Sequence, residues 1–213
     1  MTEILNVQDG ITDDDVQRVA DAVRAGELVV IPTDTSYAVI CDAFNATSVT
    51  SLRIAKGQVG NTALPIAAGS IDTINGVARL STLANDLVNI FWPGPLTVLT
   101  SAQESLSWNI GSRDHALAVR VPQHEIALRV LAAIGPVVMT GAQLTEAKPV
   151  VTVEDAKAAL GDAISYYLDG GSLSGTVSSV IDATSDNLRL LREGELSLAQ
   201  LREVIPMIVK ATA

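Results

Sequence analysis

A polar stretch at residues 33–37 contains side chains whose types suit ligand chemistry. It places Thr33, Asp34, Thr35, Ser36 and Tyr37 between the apolar segments "ELVVI" and "AVICDAF". Side chains of this kind at a strand end can satisfy the backbone groups of a turn. They can equally supply hydrogen-bond donors and acceptors to a small molecule. The residues by themselves leave both interpretations open.

A few basic residues that line one cleft could hold a phosphorylated small molecule, but three basic side chains have structural interpretations on the sequence alone. Arg120 projects opposite to its valine neighbours in a predicted strand, so it lies either in solvent or in a cavity. Lys56 ends a predicted helix, where an ammonium complements the helix dipole. Arg192, in "LREGE", could be a solvated turn residue.

A glycine- and hydroxyl-rich segment, "DGGSLSGTVSS", covers residues 169–179. Such a segment can present backbone N–H groups and hydroxyls to an anion. The same composition also suits an ordinary hairpin loop, and this alternative stays open. The sequence has neither a Walker A motif nor G-x-G-x-x-G, so no glycine loop predicts nucleotide binding.

Cysteine and histidine usage argues against a metal site and against thiol chemistry. The single cysteine, Cys41, cannot form an intramolecular disulfide, and its apolar surroundings predict an inert thiol. His115 and His124 are the only histidines, and neither has a second ligand at zinc spacing. We therefore predict no protein-bound metal.

Composition predicts a globular, cytoplasmic protein. The 213 residues are 48% hydrophobic and 18% charged, which is enough apolar content for a large core. No apolar run is long enough to span a bilayer, and the acidic start lacks the features of a secretory signal. The 14 basic and 24 acidic residues give a net charge of −10, which disfavours direct nucleic-acid binding.

Apolar strands alternate with helical stretches along the whole chain, which predicts one α/β domain over residues 1–213 with a mixed sheet. "ELVVI" has the pattern of a strand buried on both faces. Asn45 or Thr47 is predicted to cap a helix that ends at Gly57, and Ser197 with Gln200 predicts a capping box. The predicted strands are "ELVVI", "AVICDA", "ALPIAAGS", "LTVLTSA", "ALAVRVP", "PVVMTG", "SYYLDGG", "TVSSVIDA" and "NLRLLREG".

Seven segments in order resemble the YrdC-type family, the threonylcarbamoyl-adenylate synthases. "PTDTSYAV" matches P-T-D-T-x-Y-G, "LRIAKGQ" matches R-x-x-K-x-R, and "FWPGPLTVL" matches W-P-G-P-L-T. "ALAVRVPQH", "GPVVMTGAQLTEAKP", "VSSVID" and "LRLLREGEL" match the family's later motifs. The resemblance implies a twisted mixed sheet flanked by helices around a central concave cavity.

The resemblance also implies a reaction. L-threonine, bicarbonate and ATP, with Mg²⁺, would give threonylcarbamoyl-AMP and pyrophosphate. The threonylcarbamoyl group would then pass to tRNA through a separate transfer complex. This chain would be a nucleotidyltransferase without a distinct catalytic side chain, in which Lys56 and Arg192 stabilise negative charge.

The family match assigns a threonine side and a nucleotide side to the site. Arg120 would bind the threonine carboxylate, and Tyr37 and Leu64 would wall the methyl group. Hydroxyls for the amine and hydroxyl of threonine would come from Thr35, Thr140 and Ser178. The nucleotide would contact Lys56, Gln58, Gly141, Gln143 and Arg192.

The nucleotide side departs from the family pattern at three of these positions. Gln58 replaces a basic residue, Gly141 replaces the serine of S-A-N, and Gln143 replaces its asparagine. Losses of this kind weaken adenylation unless Arg53 or Arg113 compensates. Two hypotheses follow: a synthase with a variant nucleotide pocket, or a catalytically impaired paralogue that binds a ligand or a partner protein.

Overall fold

A computed structural model describes residues 2–111 and 116–211 of the chain. The helices are α1 (Asp13–Arg24), α2 (Ala46–Ala55), α3 (Ile71–Asn75), α4 (Thr82–Phe91), α5 (Glu125–Ile134), α6 (Val153–Leu160) and α7 (Leu198–Val204). The strands are β1 (Glu3–Asn6), β2 (Val29–Ile31), β3 (Ala38–Asp42), β4 (Ile66–Ala67), β5 (Ala78–Arg79), β6 (Leu96–Ala102), β7 (Ala116–Arg120), β8 (Val137–Gly141), β9 (Tyr166–Asp169), β10 (Ser179–Asp182), β11 (Arg189–Arg192) and β12 (Val209–Lys210).

Every described α-helix except α5 begins where a side-chain cap satisfies free backbone N–H groups. Asn45 accepts from the N–H groups of Thr47 and Ser48 at the start of α2, as predicted. Ser197 and Gln200 form the predicted capping box of α7. These caps fix the direction in which each helix leaves the loop before it.

The strands form one 12-stranded mixed sheet in the order β1-β9-β2-β3-β8-β4-β7-β6-β10-β11-β12, and β5 pairs with β6 outside this path. The adjacent pairs β2–β3, β3–β8 and β8–β4 are each antiparallel. Parallel pairs join β4 to β7 and β6 to β10. The predicted mixed α/β sheet is therefore confirmed.

Helices cover both faces of this twisted sheet, so its central strands are buried on two sides. Val30 packs into a core shared with α2, α4, α6 and α7, whereas Val29 and Ile31 pack against α1 and α5. The alternation is the normal consequence of a strand's two-residue period. The prediction that "ELVVI" is buried on both faces is confirmed.

The largest core encloses Cys41, whose side chain has no solvent exposure. Burial raises the pKa of the Cys41 thiol to about 12, so the group stays protonated and inert, as expected from its neighbours.

Among the described residues, no helix is both long enough and apolar enough to cross a bilayer.

The segment between β9 and β10 is not a hairpin loop. β9 pairs with β1 and β2, whereas β10 pairs with β6 and β11, so residues 170–178 cross from one half of the sheet to the other. Composition alone could not distinguish these cases, because glycine and hydroxyl residues suit both. The crossing carries this segment past the ends of the central strands.

Candidate functional site

A cavity of about 390 Å³ opens on the sheet and gathers most of the predicted site residues. In β7 and β10, the cavity residues Ala118, Arg120 and Val180 alternate with the core residues Val119 and Ile181. The cavity therefore lies on the α1 and α5 face of the sheet, where those helices leave the strands uncovered. Its lining includes Thr35, Arg120, Thr140, Gly141, Gln143, Ser178 and Arg192.

Arg120 is the buried cation of this cavity, with 8% of its surface exposed. Its Nη2 donates to Asp34 Oδ1 at 2.6 Å, and its Nε donates to the Gly94 carbonyl at 3.1 Å. A longer contact of 3.4 Å joins Nη1 to Thr35 Oγ1. Of the two alternatives for Arg120, the structure selects the cavity.

These contacts fix the guanidinium but leave some of its N–H donors free. Within residues 2–111 and 116–211, Arg120 uses one N–H from each of three nitrogens, and a guanidinium has five N–H donors. Asp34 also has a free acceptor, because its Oδ2 is buried without a hydrogen-bond partner among the described residues. The pair therefore presents free donors on a charged, fixed side chain.

Ser178 forms a second polar cluster opposite Arg120, and the cluster includes Arg192. Arg192 Nη2 donates to Ser178 Oγ at 3.1 Å, and its Nε donates to the Ser178 carbonyl at 3.0 Å. Burial and the positive charge of Arg120 lower the pKa of Arg192. Two cations thus face the same cavity, and an anion between them would relieve their repulsion.

Thr97 belongs to this cluster and was not selected from the sequence. The hydroxyls of Thr97 and Ser178 lie 2.8 Å apart, and Thr97 lines the cavity. Thr97 is the threonine of the segment "WPGPLT", which was quoted only as a family motif. Its alternation with the buried Leu96 and Val98 places it on the same face as Arg120, a signal that could have identified it.

The residues of the polar stretch 33–37 have two kinds of environment: some are buried in structural contacts, and others line the cavity. Tyr37 is fully buried; its hydroxyl donates to the Gly171 carbonyl and accepts from the Gly170 N–H. Neither Tyr37 nor Leu64 lines the cavity, so neither forms the expected methyl wall. Thr33, Thr35 and Ser36 do line it. The structural interpretation therefore holds for Tyr37, and the ligand role of the cavity-lining residues stays a prediction.

Lys56 lies behind the cavity wall rather than on it. Its Nζ donates to the carbonyls of Gly141 and Gln143 at 2.5 and 2.6 Å. The carbonyl of Lys56 in turn accepts from the N–H and hydroxyl of Thr145. Lys56 therefore fixes the backbone of residues 141–145, and its assignment to a phosphate stays a prediction.

The protonation of Lys56 should leave a pH signature in stability. Burial lowers the pKa of this ammonium to about 8 in the folded chain, below its value of about 10.4 in an unfolded chain. Between these values the unfolded state binds more protons, so folding stability from this group rises with pH, by at most about 1.4 kcal/mol per pH unit. Urea unfolding from pH 7 to 10 should show wild type gaining stability relative to Lys56→Met.

An exposed lysine supplies the control for this experiment. Lys157→Met removes a solvent-facing ammonium and should shift stability equally across the same pH range. The measured quantity is the stability of wild type minus that of Lys56→Met. If this difference does not change with pH, or falls as pH rises, Lys56 keeps its proton through this range.

Among the described residues, neither Gln58 nor Arg53, which was suggested to compensate for it, reaches the cavity. Gln58 does not line it, and its backbone N–H donates to the Arg53 carbonyl. Arg53 Nη2 donates to the carbonyls of Thr62 and Ile110, at 2.7 and 2.9 Å. Arg113, the other suggested compensating cation, and His115 lie outside the described residues. His124 is the N-cap residue of α5.

Around the cavity, the described part of the chain offers no set of protein ligands for magnesium. The described residues contain no cluster of three histidine, cysteine or acidic side chains that could hold a metal ion. Asp34, beside the cavity, is already paired with Arg120. The prediction of Mg²⁺ therefore concerns an ion that would enter on the phosphates of a nucleotide.

The fold is a mixed α/β sheet, and its cavity is lined by two arginines and several hydroxyls, donors of the kind that suit a small anionic molecule. The comparisons with known proteins give its family. The Sua5/YciO/YrdC family model, described as "Telomere recombination", matches residues 21–194. The chain belongs to this family.

Relatives and solved structures agree with this placement. A putative threonylcarbamoyl-AMP synthase of Mycobacterium tuberculosis (strain CDC 1551 / Oshkosh) is 36% identical over 86% of this chain and 86% of its own length. Sua5 of P. abyssi, crystallised with L-threonine, is 30% identical with a TM-score of 0.92. That match covers 99% of this chain but only 63% of the P. abyssi chain. E. coli YciO, at 20% identity and a TM-score of 0.86 over 94% of this chain and all of its own, shows the same fold.

Proposed function

We propose that this protein is an L-threonylcarbamoyladenylate synthase, which joins L-threonine, bicarbonate and ATP into threonylcarbamoyl-AMP and pyrophosphate. The observation that carries the proposal is the convergence of Thr35, Arg120, Thr140 and Ser178 on one cavity. The P. abyssi relative was crystallised with L-threonine, and the M. tuberculosis relative has the synthase name. Both support an amino acid as the ligand of this cavity.

On the threonine side, Arg120 would hold the carboxylate through its free N–H donors. Its bond to Asp34 fixes the guanidinium plane before any ligand arrives, so little side-chain entropy is lost on binding. Thr35, Thr140 and Ser178 would contact the amine and hydroxyl. The threonine amine attacks bicarbonate to give a carbamate, and water leaves.

On the nucleotide side, a carbamate oxygen would attack the α-phosphorus of ATP while pyrophosphate leaves. Negative charge then accumulates on the phosphate oxygens, and fixed cations stabilise it. Arg192 is the cation placed to do this, because its bonds to Ser178 hold it at the cavity rim. Lys56 would act by fixing the backbone of Gly141 and Gln143, both cavity residues. The product would pass to a transfer complex that acts on tRNA.

The proposal predicts a product that depends on all three substrates. Purified protein incubated with labelled L-threonine, bicarbonate, ATP and Mg²⁺ should form threonylcarbamoyl-AMP and release one pyrophosphate per product. Omission of any one substrate should abolish both signals, and an active family member run in parallel serves as the control. Absence of product beside an active control would exclude the synthase function.

The second candidate is a ligand-binding paralogue without adenylation. It is favoured by the positions of Gln58 and Lys56, because neither lines the cavity. Calorimetric titration separates the two functions: a synthase binds threonine and ATP, whereas the paralogue would bind threonine with no measurable ATP affinity.

A further inference from the structure

Gln143 and Gly141 face the same part of the cavity, and their side-chain volumes are complementary. A Cβ atom built on Gly141 would lie 2.3 Å from Gln143 Oε1 and 2.8 Å from both Cδ and Nε2. These distances are far below van der Waals contact, so the carboxamide of Gln143 rests directly on the Cα of Gly141. The carboxamide thus fills the space that a side chain at residue 141 would need.

The backbone beneath this contact is held in place. Lys56 Nζ binds the carbonyls of both Gly141 and Gln143, and Thr145 binds the carbonyl of Lys56. Because these bonds hold the backbone at both residues, a new side chain at residue 141 would displace the flexible Gln143 side chain more easily than the loop.

The carboxamide of Gln143 also has an acceptor atom without a hydrogen-bond partner among the described residues. Gln143 Oε1 is buried and has no hydrogen-bond partner within residues 2–111 and 116–211. Buried polar atoms are normally paired, so this enclosed acceptor would gain a hydrogen bond if the carboxamide turned toward the cavity that Gln143 lines. Rotation about the last side-chain bond offers the amide N–H₂ at the same place, so the group can meet an acceptor or a donor.

We propose that Gln143 and Gly141 form one recognition element, in which the Gln143 carboxamide contacts the nucleotide in place of a side chain at residue 141. The inference rests on the proposed function, because it names the residue that sets nucleotide affinity at that site. The two departures from the family pattern are then a matched pair rather than two separate losses. A neutral carboxamide supplies a hydrogen bond where the family pattern has a hydroxyl.

A double-mutant cycle tests this coupling. Gly141→Ser alone should raise KM for ATP about tenfold, because the serine Cβ displaces the carboxamide, and Gln143→Asn alone should raise it about threefold. The variant that combines both substitutions should return to within about threefold of wild type, since the shorter asparagine side chain leaves room for the serine. KM for threonine should stay within about twofold throughout. Met207→Ala, at an exposed residue outside the cavity, is the control and should leave both constants unchanged.

Thermal unfolding of the same four proteins of the cycle gives a readout that does not depend on activity. Gly141→Ser should lower the unfolding temperature in the presence of Gln143 and lower it less when it is combined with Gln143→Asn. Additive effects on KM in a protein that makes product would overturn the inference and leave the synthase function standing. If the wild-type protein binds threonine but shows no measurable nucleotide binding, both the synthase function and nucleotide recognition by Gln143 are overturned. The unfolding cycle would still decide whether the two residues are coupled.

Discussion

Replacing Arg120 with lysine should lower kcat/KM for threonine by a factor of about 10² to 10³, with a much smaller change in KM for ATP. The guanidinium binds Asp34, Gly94 and Thr35 through three different nitrogens and still has N–H groups for a carboxylate. A lysine ammonium has only three donors on one nitrogen, so it cannot hold Asp34 and grip a carboxylate in a plane. Initial rates of threonylcarbamoyl-AMP formation, measured at varied threonine and then at varied ATP, give the two constants.

The control for this substitution is Arg18→Lys, at an exposed arginine that pairs with Glu3 and Asp15. Surface pairs of this kind contribute little, so its kinetics should match wild type. Arg120→Ala is less informative, because it leaves Asp34 buried without a cation and should destabilise the fold by about 3 kcal/mol. If Arg120→Lys keeps the wild-type KM for threonine, Arg120 does not bind the carboxylate.

Gly194→Ala should destabilise the chain by about 2 to 3 kcal/mol and also weaken both substrate affinities. A Cβ at residue 194 would lie 2.2 Å from the Val177 carbonyl oxygen and 2.6 Å from backbone atoms of Ser178. These contacts are with backbone atoms, which cannot move aside as a flexible side chain can. The substitution would push Ser178 away from Arg192 and Thr97. Urea unfolding and the two KM values measure the two effects.

Gly76→Ala is the matched control for this second substitution. Its Cβ would meet only the Thr73 carbonyl oxygen, at 3.3 Å, and its φ of −68° suits any residue. It should change stability by less than about 1 kcal/mol and leave both KM values unchanged. Normal substrate affinity in a folded Gly194→Ala protein would show that the wall at residues 177–178 is not part of the site.

The elements with strong local patterns were predictable from the sequence. α1 and α5 show apolar residues at helical spacing, and β2 is β-branched and continuously apolar, so each had one reasonable interpretation. The short elements β1, β5, β12 and α3 were not predicted, because two to five residues carry too little periodicity. They form through tertiary contacts rather than through local preference.

The candidate site was only partly predictable, and the reason differs between residues. Arg120, between two valines, had to face either solvent or a cavity, so its pattern left two outcomes. Lys56 had no such pattern, because its role depends on carbonyls 85 and 87 residues away in sequence. The contact of Gln143 with Gly141 depends on a side-chain conformation that the sequence does not encode locally. Gly141 and Gln143 are therefore two separate departures in the sequence but form one contact in the structure.

The hydrogen bonds of Tyr37 to residues 170 and 171 join the loop after β2 to the crossing segment before β10. Ser174 and Gly175 add further bonds to the Thr35 carbonyl. The two walls that would enclose threonine are therefore joined before any substrate is present. The nucleotide side instead presents the movable carboxamide of Gln143. We expect an ordered kinetic scheme, in which threonine enters a rigid site first and the nucleotide adjusts its own side of the cavity afterwards.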